Sequence, residues 1–251
     1  MRPFPCALGA AAFVFLFLSP FRSLACTVQV ENPDVGFPLD KMDRPTLCRM
    51  AAVVNDYTTH RVVPPARTPV QKSVYDFLLD RPVLTSLLVR NLHLAGYRFT
   101  RLGPDRWHGD DAQGAEGEIQ SLYQDATRRV YHVKGSHRGR LFPAITGEAI
   151  VMLNYQAKVG PDGREYIETG IITYSKIDNP VLAVVVRLLQ PVLRRVVNDK
   201  LTNAFAIFQR LGEVMAADPE QVYRQVETAP EAGAADVEAL RVLLLPTFKK
   251  G

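Results

Sequence analysis

The sequence predicts an α+β protein: one edge strand, two short helices, a run of antiparallel hairpins, and a long C-terminal helix covering the sheet's apolar side. Three observations carry this. Between Tyr97 and Ile177 apolar and polar residues alternate and turn residues recur. From Asp178 to about Ala216 one broad apolar stripe repeats at helical spacing. Prolines at 69, 82 and 180 mark helix starts around the strand region.

The chain opens with Arg2, an almost wholly apolar run from Ala7 to Phe21, and Ser23, Leu24 and Ala25, which put small residues where a signal peptidase reads. Pro20 and Arg22 cut the run short of the roughly 20 residues a spanning helix needs. Residues 1–25 are therefore expected to be a secretory signal peptide, and the protein to be periplasmic or secreted. Cleavage would make Cys26 the first mature residue. It then has three fates: a disulfide with Cys48, a free thiol, or a lipid attachment point. The last is disfavoured, because Ser23, Leu24 and Ala25 depart at two positions from the bacterial lipoprotein pattern Leu-(Ala/Ser)-(Gly/Ala)-Cys. Neither cysteine lies in a Cys-x-x-Cys motif, so thiol redox chemistry has no anchor.

The formal net charge is +4, and falls to +2 once Arg2 and Arg22 leave with the signal. No nucleic-acid partner is expected at that balance. Arg128, Arg129, Lys134, Arg138 and Arg140 are the nearest approach to a basic stripe and read as a solvated rim.

Along the mature chain, residues 26–56 form an N-terminal extension. Asp40 or Asp43 caps a helix running to about Val54, with Pro45 in its first turn. Thr58 to Val63 is β-branched and ended by Pro64 and Pro65, an edge strand. Thr68 and Pro69 open a helix; Asp80, Arg81 and Pro82 break it and start a second, which Gly96 stops. Strands follow over 97–102, 106–109, 119–123, 128–134, 145–159 and 164–177, with turns at Gly103, Pro104 and Asp105, at Asp125, Ala126 and Thr127, and at Pro161, Asp162 and Gly163. On the longest of these, Val151, Leu153, Tyr155 and Ala157 share one face. Glu148, Asn154 and Gln156 share the other, where Ile150 and Met152 interrupt the polarity. The final helical stretch would be about 55 Å long if straight; Pro191 divides it into a short helix and a main one. A tail over 218–251 carries a short helix from Pro219, a linker, and a last helix over 236–245.

From about 57 to 217 this order is similar to the START-like (SRPBCC, polyketide cyclase and lipid-transfer) helix-grip superfamily. The features that carry the likeness are Thr68 and Pro69 before the helix pair, the hairpin at Pro161, Asp162 and Gly163, and Asn179 and Pro180 leading into the last helix. The short helix before Pro191 departs from the simplest family pattern, as a lid or as an extended connection. The resemblance implies a curved sheet wrapped around the C-terminal helix, with an apolar cavity between them for a lipid, sterol, isoprenoid, quinone or polyketide. Val151, Leu153, Tyr155, Leu193, Val197, Leu201, Phe205 and Phe208 are the expected ligand contacts, with Tyr155, Asn203 or Glu148 orienting a polar head. The same residues could instead fill a packed core.

Little points to catalysis. No Gly-x-Ser-x-Gly elbow or phosphate-binding glycine loop is present. His108, Gly109, Asp110 and Asp111 include metal-ligand types but read as a polar loop. His132 and Lys134 share a strand face that is either cavity wall or solvent side. Glu148 and Glu168 could serve as acid and base only if buried. No cofactor is expected. The leading expectation is an exported carrier of one hydrophobic molecule. Its rivals are a cyclase- or hydrolase-like enzyme in the same cavity, and a non-catalytic envelope protein docking on a membrane or partner through residues 181–189 and 236–245.

Overall fold

The computed structural model describes residues 26–30, 36–139, 144–188 and 190–245, with side chains for all of these except 188 and 190–202. The expected signal peptide lies outside the described residues. The elements are α1 (Arg44–Val54), β1 (Thr59–Thr68), α2 (Lys72–Asp80), α3 (Pro82–Asn91), β2 (Arg98–Gly103), β3 (Arg106–Asp110), β4 (Ala115–Gln124), β5 (Arg128–His137), β6 (Ile145–Val159), β7 (Glu165–Ile177), α4 (Pro180–Leu188), α5 (Gln190–Ala217), α6 (Pro219–Glu227) and α7 (Ala234–Leu244). The strands form one curved antiparallel sheet in the order β1-β7-β6-β5-β4-β3-β2, the α+β helix-grip arrangement.

Both faces of this sheet are covered, which explains the interrupted polarity of β6. Ile150 and Met152, fully buried, pack with Val130, Ile172 and Tyr174 against Met50, Val53 and Val54 of α1. The N-terminal extension thus builds a second core on the convex face. Asp43 caps α1 by accepting from the Thr46 amide at 3.0 Å, and a disulfide joins Cys26 to Cys48 with Cα atoms 4.8 Å apart. The same extension places Val28 and Phe37 in that core.

On the concave face, Tyr155 and Ile167 pack with α2, α3 and the second half of α5, through residues such as Tyr75, Leu88, Leu211 and Met215. Gly212 lets α5 come down on Thr68, Pro69 and Val70, where a Cβ would stand 3.1–3.2 Å from all three. The tail joins this core through Val222, Val226 and Leu240. Arg81 Nε donates to Asp236 at 2.8 Å and Asn91 Nδ2 to the Gln225 carbonyl at 2.6 Å.

Four boundaries differ from the sequence expectation. β1 runs through Pro64 and Pro65, with a register shift between Val63 and Ala66; an edge strand tolerates prolines where no partner amide is needed. Thr68 ends that strand rather than opening α2, whose first amide, Lys72 N, donates to Glu165 of β7 at 2.6 Å. α3 ends at Asn91, and His93, at φ 55°, takes the left-handed position that Gly96 was expected to supply. β3 and β4 turn at 111–114 on Ala112 and Gly114, both at positive φ. The expected division near Pro191 falls beside Leu189, which lies outside the described residues; helix is described up to Leu188 and again from Gln190. Asn179 Oδ1 accepts from the amides of Val181 and Leu182 at the start of α4.

Candidate ligand cavity

Along each concave-facing strand the residues alternate in and out of one space. On β6, Ile145, Gly147, Ala149, Val151 and Leu153 face it; on β5, Tyr131, Val133, Gly135 and His137. Opposite stand Leu78, Leu79 and Pro82 of the α2–α3 corner, Val89 of α3, and Ala204 and Phe208 of α5. Phe99 and Trp107 close one flank. The cavity, open at its rim, has a volume of about 630 Å³, within the range of small-molecule sites.

A row of glycines shapes the sheet wall. Gly109 pairs with Gly117, Gly117 with Gly135, and Gly135 with Gly147, on four successive strands. A Cβ at Gly117, Gly135 or Gly147 would strike the backbone carbonyl of Lys134, Glu116 or Lys176; one at Gly109 would crowd Phe99 and Ile119. Glycine in a strand interior marks a tight bend or close approach of backbones, and here the bend runs across the sheet beneath the cavity.

The wall offers few unspent polar groups. Thr85 Oγ1 donates to the Leu78 carbonyl at 2.7 Å, and Ser86 Oγ donates to Val83 and accepts from the Phe99 amide. The Tyr131 hydroxyl is pushed above the ordinary tyrosine range by burial, against the opposing pull of Arg129. Beyond Tyr131 the inner end is sealed by a polar cluster. Arg129, 5 % exposed, donates to Asp80 at 2.5 Å and to the Tyr155 hydroxyl at 3.3 Å. Tyr155 donates to Asp76 at 2.9 Å, and Lys72 pairs with Asp76 at 2.6 Å. The other end reaches the rim where β3, β5 and β7 finish, at Asp111, His137 and Ile177.

Of the residues expected to touch ligand, Val151, Leu153 and Phe208 line this cavity. Phe205 is half-buried and off its wall. Leu193, Val197 and Leu201 lie on α5 at positions whose side chains are outside the described residues. Tyr155 shares the concave face but is held in the sealing cluster rather than in the cavity wall. Arg129, read from sequence as solvated rim, is buried, because α2 brings Asp76 and Asp80 over it; Arg140 lies outside the described residues.

The other polar candidates stand at the cavity's edge or away from it. Glu148 points to the convex side, where His132 at 3.0 Å and Lys134 at 3.3 Å hold it. Burial alone would raise its pKa, but these two partners outweigh that and lower it. Glu168 shares the convex side and pairs with Lys158, whose hydrogen bond keeps its carboxyl below the ordinary range. Asn203 is exposed on α5. Asp110 and Asp111 spend their carboxylates on the amides of the 111–114 turn, and among the described residues no group of three His, Cys, Asp or Glu side chains is placed to hold a metal ion.

Sequence reasoning missed Phe99, Trp107, Tyr131, Ala149 and the glycine row. Their common signal was parity: each glycine replaces an inward apolar residue in the alternation of its strand.

No family model and no curated protein matches the chain. Among solved structures it is similar to a conserved protein from Geobacillus kaustophilus, at 13 % identity and TM-score 0.42, over 62 % of this chain and 97 % of that one. It is also similar to the di-domain ARO/CYC BexL from the BE-7585A biosynthetic pathway, at 14 % identity and TM-score 0.41, over 66 % of this chain and 54 % of that one.

Proposed function

We propose that this protein is an exported carrier that binds one hydrophobic molecule between the concave face of its sheet, α3 and α5. The observation that carries the reading is the cavity of about 630 Å³ walled by Val133, Ala149, Val151, Leu153, Trp107 and Phe208. Such a space favours apolar ligands by removing their surface from water, with no further chemistry required. The ligand class is a lipid, sterol, isoprenoid or quinone. The carboxylates that an acid–base mechanism would use, Glu148 and Glu168, stand in ion pairs on the opposite face, which favours binding over catalysis. Export is supported by the Cys26–Cys48 disulfide, a bond that persists in oxidising compartments, and by the N-terminal sequence.

The test is mass spectrometry of organic extracts from protein purified gently from its native host, together with titration by a fluorescent fatty acid. A single co-purifying apolar species, displaced by the probe, is the expected result. Extracts at background with no probe binding would overturn the reading.

A further inference from the structure

The helix α4 carries an apolar ridge that faces solvent. Val181, Val184 and Val185 are 70 %, 53 % and 37 % exposed, while Ala183 between them is 8 % exposed and turned to the protein. The three valines fall at i, i+3 and i+4, one strip of one face. Large exposed apolar side chains grouped in this way mark interaction surfaces, unlike isolated ones.

Position and charge select the occupant. α4 begins three residues after Ile177, which lines the cavity where it reaches the rim. Arg187, in the last turn of α4, donates to the Tyr57 carbonyl at 3.2 Å and remains exposed. Arg187 is the one charged residue of α4, which follows Asp178 by two residues; in the sequence of α5, Arg194 and Arg195 precede the first acid, Asp199. A helix with an exposed apolar strip and Arg187 as its only charge is complementary to an anionic lipid surface, into which it lies at headgroup depth. Among the described residues no helix is long and apolar enough to cross a membrane.

We infer that α4 docks on an anionic bilayer through Val181, Val184 and Val185, setting the outer end of the cavity against the lipid. The inference deepens the carrier reading and takes its purpose from it: a ligand passing between bilayer and cavity would cross little water.

The experiment is flotation of the purified protein with vesicles of phosphatidylcholine alone and of phosphatidylcholine with equal phosphatidylglycerol, at low and at physiological salt. The wild type should float with the anionic vesicles, less as salt rises, and little with phosphatidylcholine. The variant V181S/V184S/V185S should lose at least about tenfold in partition, while Val159→Ser, an exposed valine on the hairpin at the other end of the sheet, should float as wild type. Arg187→Glu should lose binding to the anionic vesicles specifically. Circular dichroism checks that each variant is folded. Wild type failing to float, or the triple variant floating equally, would overturn the inference. So would a dimer in sedimentation that the triple variant dissolves, since a second copy would then be the occupant. Fatty-acid titration without vesicles is read separately. Flotation without probe binding keeps the docking and sinks the carrier reading, and probe binding without flotation does the reverse.

Discussion

Arg129 and Asp80 meet at 2.5 Å, Nη1 to Oδ1, joining the middle of the sheet to the last residue of α2. Tyr155 and Asp76 complete the cluster, and all four close the inner end of the cavity. The guanidinium is buried while both carboxylates keep part of their surface in water.

Removing the cation should therefore cost more than removing either anion. Arg129→Met is expected to lower unfolding free energy by about 3 kcal/mol, the scale for breaking a buried pair. Asp80→Asn should lose about 1 kcal/mol, because Asp76 and Tyr155 still hold the arginine. Urea unfolding of the two variants and their combination checks the order. Equal losses would contradict the geometry.

Alkaline pH should weaken the fold through Tyr75 and Tyr155. Burial pushes both hydroxyls up to about 12; Arg129 opposes the rise for Tyr155, and Thr169 opposes it for Tyr75. In the unfolded chain tyrosine ionises near pH 10, so the folded state holds these protons more tightly. The stabilisation is whole below about pH 10 and is lost as pH climbs through about 12. The melting temperature should fall steeply across that window, and Tyr155→Phe should make the fall shallower than in wild type.

The disulfide fastens Val28 and its neighbours to α1, away from the cavity. Cys48→Ser should cost about 3 kcal/mol for a closed loop of this length, with fatty-acid affinity unchanged. Intact mass of protein from the native host should match a chain beginning at Cys26 and lacking two hydrogens; an added diacylglycerol mass would contradict the bond.

Ala149 offers the direct test of the cavity, since its side chain points inward between Gly147 and Val151. Ala149→Trp should fill the space and lower fatty-acid affinity at least about tenfold, with a stability change below about 3 kcal/mol. A filled core without a cavity would instead lose more than that and show no binding to begin with.

Periodicity made the run of antiparallel hairpins and the two helices broken at Pro82 readable, because each rests on local chemistry. What was not readable depends on partners distant in sequence. The amide of Lys72 is capped by Glu165, 93 residues away, so Thr68 and Pro69 gave a false start. Ile150 and Met152 looked like a flaw in β6 until α1 was seen to cover them. Arg129 follows Arg128 in a turn-flanking pair that reads as surface, and only the fold brings α2 above it. Val151, Leu153 and Phe208 were legible as cavity wall from their stripes; Tyr155 has the same parity and a different role, which a one-dimensional pattern cannot separate.

Where Gly109, Gly117, Gly135 and Gly147 cross the sheet, the cavity is bounded by main chain. Backbone carries no sequence variation, and the carbonyls of Lys134, Glu116 and Lys176 leave no room for a side chain at three of the four positions. That boundary is fixed in shape for any sequence adopting this bend. Selectivity among hydrophobic molecules is then adjusted where side chains face the cavity, from Val133, Ala149 and Val151 on the sheet and from Leu79, Val89 and Phe208 opposite. A change of cargo in this architecture would be written in those side chains, while the glycine row stayed as it is.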